Sequence, residues 1–177
     1  GQRLRGLLRK GPVKIWTRIQ AKTFNGEGKN LTVTIPGTDT TDEEILFISH
    51  TSAGTKPGAN CAAGPALMFE IARTIKTLID SGKIPRPRRS IKFQIGPEGY
   101  VSYEYLNKNR ERLKNITAAF CLDSVGHNQH KLKSALLMCR NPDSLPHFIN
   151  DFVISIIETS PKETQWFFSK RNIIPLI

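Results

Sequence analysis

Apolar and polar positions alternate along the chain in two rhythms, one of period two and one near 3.6, and the changes between them outline its elements. Leu4, Leu7 and Leu8 suggest a short amphipathic helical turn, which Gly11-Pro12 ends. Val13, Ile15, Thr17 and Ile19 then alternate with Lys14, Trp16, Arg18 and Gln20, the rhythm of a half-exposed strand. After the turn NGEGKN, residues 31–35 read as a second strand closed by Pro36-Gly37, so the pair predicts a hairpin. A polar loop over 38–44 leads to Ile45, Leu46, Phe47 and Ile48, the unbroken apolar run of a strand covered on both faces, with His50 just past its carboxyl end.

From Gly64 the rhythm becomes helical. Leu67, Ile71, Ile75, Leu78 and Ile79 share a face that Glu70, Lys76 and Asp80 avoid, Gly82 suits the position after the helix, and Pro85 and Pro87 forbid continuation. A strand over 90–95 runs into Gly96-Pro97-Glu98-Gly99 and a helix around 102–109 follows. Another strand over 117–122 leads into Asp123, a further strand is expected over 134–139, and a helix over 145–157 carries Phe148, Phe152, Ile156 and Ile157 on its apolar side. The stretch 161–177 has apolar residues without a clear period. With no internal repeat, low-complexity segment or linker, this alternation predicts an α/β fold: a three-layer sandwich around a mostly parallel mixed sheet with an antiparallel hairpin at one edge.

Composition narrows the reading. At 177 residues, 38% hydrophobic and 23% charged, the chain is expected to form a single domain over 1–177, with C-terminal truncation left open by the patternless ending. Its 26 Lys and Arg against 15 Asp and Glu give +11. The cations are dispersed and no aromatic stacking motif or nucleic-acid module accompanies them, so a solvated basic surface is expected and no nucleic-acid partner. Three cysteines cannot all pair within the chain; Cys121 and Cys139, in apolar strand-like runs, are expected to be reduced core residues. No stretch reaches the ~18 apolar residues of a membrane span, and the first residues lack a signal-peptide core. A soluble chain is expected, its compartment open.

His50, Glu98 and Asp123 each fall at or shortly past the end of an expected strand. If those strands are parallel neighbours, the three side chains converge on the rim where α/β sheets gather ligands. An imidazole and two carboxylates make a reasonable zinc set. Spacing alone slightly favours the plainer alternative, that all three are ordinary loop residues.

Four segments taken together shift that balance: NLTVTIPGTDTTDEEILFISH, PGANCAAGPALMFEIART, PRRSIKFQIGPEGY and AAFCLDSVGH. In order and spacing they resemble the zinc aminopeptidase group known as metallopeptidase family twenty-eight, which includes bacterial aminopeptidases, glutamate carboxypeptidase and the non-catalytic transferrin receptor. The similarity runs from about Val13 to Phe152. It implies a zinc-exopeptidase-like fold with two bridged zinc ions at the carboxyl rim of the sheet, and a metal-held water that attacks a peptide carbonyl with a carboxylate as general base. It also implies a peptide or protein N-terminus as substrate or ligand, and an extracytoplasmic location is compatible with it.

Carried over residue by residue, the resemblance divides. His50 matches the family's first ligand histidine, but Ser52 replaces the aspartate that supports that imidazole. Cys61 stands at the bridging aspartate; a thiolate binds zinc, and a nearby helix N-terminus would lower its pKa, yet a bridging carboxylate is lost. Glu98 matches the ligand of the paired glutamates, whereas the general base is Pro97, which accepts no proton. Asp123 matches the ligand aspartate after a buried strand. The family's distal histidine has no counterpart before Ile177. His127 and His130 are read as exposed loop residues rather than substitute ligands, and His147 as a surface or cap residue. A cysteine nucleophile at Cys61 with His50 as base is a further, less favoured chemistry. The resulting expectation is a zinc-dependent aminopeptidase-type metallopeptidase weakened at its bridge and base. The alternative is a non-catalytic relative that binds protein or peptide.

Overall fold

The computed structural model describes residues 2–39, 42–52, 59–133, 136–160 and 173–175. Its central strand β2 (Glu44–His50) lies parallel to both neighbours, β3 (Ser90–Gly96) and β4 (Ile116–Cys121), while β1 (Leu31–Ile35) flanks β3 antiparallel, giving the order β1-β3-β2-β4. This is the expected mixed, mostly parallel sheet with an antiparallel edge. The helices are α1 (Gln2–Leu8), α2 (Gly64–Asp80), α3 (Tyr100–Lys108), the short α4 (Gln129–Leu132) and α5 (Ile149–Thr159). A separate parallel pair joins β5 (Met138–Arg140) to β6 (Ile173–Pro175).

Period-two alternation sends each strand's residues to two different layers. On one face Ile35, Phe93 and Ile95 meet Met68 of α2 in a buried core, with Ile71, Ala72, Ile75 and Ile79 along the helix packed against it. Burying Phe93 and Met68 fully stabilises by about 1.5–3 kcal/mol each. Register places Phe93, Phe47 and Phe120 side by side across β3, β2 and β4, and their rings stack at 5.3 and 5.0 Å between centroids. On the opposite face lies α3, whose Val101 and Tyr105 are buried and whose Tyr105 hydroxyl donates to Glu44 Oε1 at 2.6 Å. Helices on both faces complete the sandwich.

The edge strand is antiparallel, but through β3 and not through a hairpin. Residues 12–30, including the expected strand over 13–19, carry no regular structure, and Trp16 and Ile19 are 83% and 86% exposed. Alternation names the face a strand would bury; it does not supply a partner. α2 follows its expected stripe except at Leu67, which is exposed beside Met68, the residue that takes the inward position. α5 starts at Ile149, and its Phe152 and Ile156 are exposed, as is Phe148 before it. Cys121 and Cys139 are exposed, not core, because each sits on a short or edge strand whose outer side is uncovered. Of the strand expected over 134–139, residues 134 and 135 lie outside the described residues, as does most of 161–177.

Candidate functional site at the carboxyl rim of the sheet

Register alone brings the rim together. His50, the last residue of β2, pairs with Gly96 at the end of β3, and the Leu122 amide donates to the Ile48 carbonyl at 2.9 Å just past β4. The loops bearing Glu98 and Asp123 therefore leave the sheet on either side of His50. Both turn sharply: Gly99 after Glu98 has φ 73°, and Ser124 after Asp123 has φ 51°, unusual for a residue with a side chain. Ser124 Oγ donates to Asp123 Oδ1 at 2.9 Å.

α2 reaches this rim through a close approach. A Cβ at Gly64 would come within 2.2 Å of Ser49 Oγ and 2.4 Å of the Leu122 carbonyl, so only glycine lets the helix start this near the strand ends. Ser49 Oγ donates to that same carbonyl at 2.7 Å, which ties β2 to the loop carrying Asp123. The turn Ala59–Ala63 ahead of α2 is a π-helical turn, and it carries Cys61.

His50 and Asp123 meet, with Nε2 and Oδ1 3.2 Å apart. The imidazole is buried, whereas the Asp123 carboxylate is half exposed. His50 Nδ1 is buried without a hydrogen-bond partner, a deficit of about 1–3 kcal/mol for an unsatisfied polar atom. Cys61 is buried and donates its thiol to the Ser52 carbonyl at 2.6 Å. Burial raises its pKa, and the carboxylates of Glu98 and Asp123 raise it further, so it stays a thiol. The shift is opposite in direction to the lowering expected of a nearby helix N-terminus, because burial and two acids act on the sulfur. The hydrogen bonds of the two groups run apart, His50 Nε2 to Asp123 and the Cys61 thiol to the Ser52 carbonyl.

Glu98 is held by its backbone. Its amide donates to Ser52 Oγ at 2.7 Å, so Ser52 anchors both Glu98 and Cys61. The resemblance marks Ser52 only as the replacement for a supporting aspartate; its anchoring role emerges from the fold. His147 Nδ1 accepts from the Ile149 amide at 3.3 Å, the cap-like role expected of it, and His127 lies in a loop. The side chain of His130 lies outside the described residues. Among the described residues no group of three or more His, Cys, Asp and Glu side chains is arranged to hold a metal ion. His50 and Asp123 bring together one nitrogen and one oxygen donor, both of kinds that zinc accepts.

No helix of the described residues is long and apolar enough to cross a membrane. The family model described as peptidase family M28 matches residues 30–170, most of the chain. No curated protein matches the chain.

Proposed function

The chain belongs to peptidase family M28, and we propose that it is an aminopeptidase-type metallopeptidase domain whose site is weakened, with zinc held by His50, Asp123 and Glu98. The observation that carries this reading is the 3.2 Å approach of His50 Nε2 to Asp123 Oδ1 at the strand ends. A zinc ion bound there would supply Lewis acidity toward a peptide carbonyl and toward water. Of the chain's own groups, His50 and Asp123 supply one nitrogen and one oxygen donor, and Ser52 fixes the backbone of Glu98 beside them. Pro97 holds no proton acceptor where the resemblance expects the general base, a loss worth ~10²–10⁴ in rate. Cys61 offers a thiol where the resemblance expects the bridging carboxylate, and in the metal-free chain that thiol donates to the Ser52 carbonyl, so the bridge is weakened as well.

Those two lesions favour a second reading, a non-catalytic member of the family that binds peptide or protein N-termini on the same rim. Zinc per chain after dialysis, together with release of a chromophore from aminoacyl amides with and without added Zn²⁺ or Co²⁺, separates the two. Metal-dependent turnover abolished by Glu98→Ala supports the weakened enzyme. A metal-free protein without turnover leaves the binding role. Cys61→Asp combined with Pro97→Glu is expected to raise zinc affinity even where turnover stays low.

A further inference from the structure

The expected strand over 13–19 has Val13, Ile15, Thr17 and Ile19 as its apolar side; in the structure Val13 is half-buried, Ile15 and Ile19 are exposed, and Trp16 from the other side and Phe24 beyond it are exposed as well. Ile15, Trp16, Ile19 and Phe24 are 61%, 83%, 86% and 77% exposed, and Lys14, Arg18 and Lys22 are interleaved with them. The first 30 residues hold eight of the chain's 26 Lys and Arg but only one of its 15 acids, Glu27. None of those cations that lies in this segment forms an ion pair with another described residue. Elsewhere the acids do find partners: Glu43 meets Arg88 and Arg89, and Glu44 meets Lys92 and Arg112. Unpaired positive charge is thus concentrated where large apolar side chains are uncovered.

We propose that residues 12–24 are a docking surface for an anionic lipid bilayer, lying on it without spanning it. A polyanion such as nucleic acid would satisfy the cations but leave Ile15 and Ile19 in water, since only the aromatic rings can stack on bases. A bilayer surface takes both kinds of group: lysine and arginine stems extend toward headgroup phosphates while Trp and Phe settle at the interface. A segment without regular structure also suits a soft surface better than a shaped protein groove. The segment runs toward the rim: a Cβ at Gly28 would meet Pro97 Cγ at 3.6 Å, so docking sets Glu98's loop near the lipid.

The test is co-sedimentation of the full chain with vesicles of phosphatidylcholine alone and with added phosphatidylserine, read alongside Trp16 emission in a Trp166→Phe background. Binding only to the phosphatidylserine vesicles, with a blue shift of Trp16, is expected. Trp16→Ser, Ile19→Ser and Phe24→Ser together should weaken binding by roughly ten-fold or more, and Arg18→Glu with Lys22→Glu by roughly five-fold per cation removed. Thermal unfolding of both variants should stay close to the parent, since these side chains are largely exposed. Absence of binding, equal binding by the serine variant, or binding to single-stranded RNA but not to vesicles overturns the proposal.

Discussion

The two ends of β2 solve the same problem in opposite ways. Glu44 and His50 are six residues apart, so both point to the α3 side of the sheet, and both are buried. At the Glu44 end the charge is enclosed by partners: the Tyr105 hydroxyl donates to Oε1, Lys92 Nζ pairs with Oε2, and Arg112 Nη2 stands 3.8 Å from it. Lys92 also donates to the Tyr105 oxygen at 3.3 Å, which closes the group. At the His50 end Nε2 meets Asp123 and Nδ1 has neither a hydrogen bond nor an ion pair among the described residues, whereas Glu44 Oε2, likewise without a hydrogen bond, is covered by the Lys92 and Arg112 cations. A position serving only stability is not expected to leave a buried imidazole half satisfied. The contrast is between a strand end covered by cations and one that leaves a ring nitrogen unsatisfied.

The largest expected effect comes from opening the closed end. Lys92→Met should destabilise by about 3–5 kcal/mol in urea unfolding, because it strands a buried carboxylate; a loss under about 1 kcal/mol would mean that Arg112 alone suffices. Tyr105→Phe should cost about 1.5–3 kcal/mol by removing a donor to a charged acceptor. Burial, and then Glu44, push the Tyr105 phenol well above its usual range. The folded state therefore keeps a proton that the unfolded chain loses above about pH 10, and stability should fall as pH rises there. The phenylalanine variant should show a shallower fall across the same window, which unfolding at stepped pH would reveal.

At the open end Gly64→Ala should cost about 1–3 kcal/mol, since its Cβ would press on backbone at the rim. Differential scanning calorimetry checks the loss, and weaker zinc uptake should accompany it if α2 sets the spacing of His50 and Asp123. The smallest effect is the most diagnostic: His50→Leu should change stability of the metal-free protein by no more than about 1 kcal/mol, because it removes an unsatisfied atom while Asp123 stays solvated. A loss as large as that of Lys92→Met would erase the distinction between the two ends.

Much of the fold was legible because it is local. The apolar run at 45–48, the helical stripe from Ile71 to Ile79, and Gly82, whose φ is 68°, each mark an element through side-chain spacing or backbone freedom. The stretch 13–19 forms no strand because alternation names a face without supplying a partner strand to pair with. Cys121 and Cys139 misled because apolar neighbours in sequence do not cover an edge strand. Of the rim, the meeting of His50 and Asp123 follows from parallel strands ending together. The inward turn of Cys61, the tethering by Ser52 and the orphaned Nδ1 depend on how loops fold back, and no spacing rule encodes that.

Taken by itself, then, the sequence determined which segments form the sheet and helices and which polar residues stand at their ends, since both follow from periodicities of two and 3.6. Only the tertiary structure decided which of those residues touch, which thiol stays protonated and which apolar side chains face water. Contacts, desolvation and exposure are sums over residues distant in the chain, and they exist only once register and packing have brought those residues together.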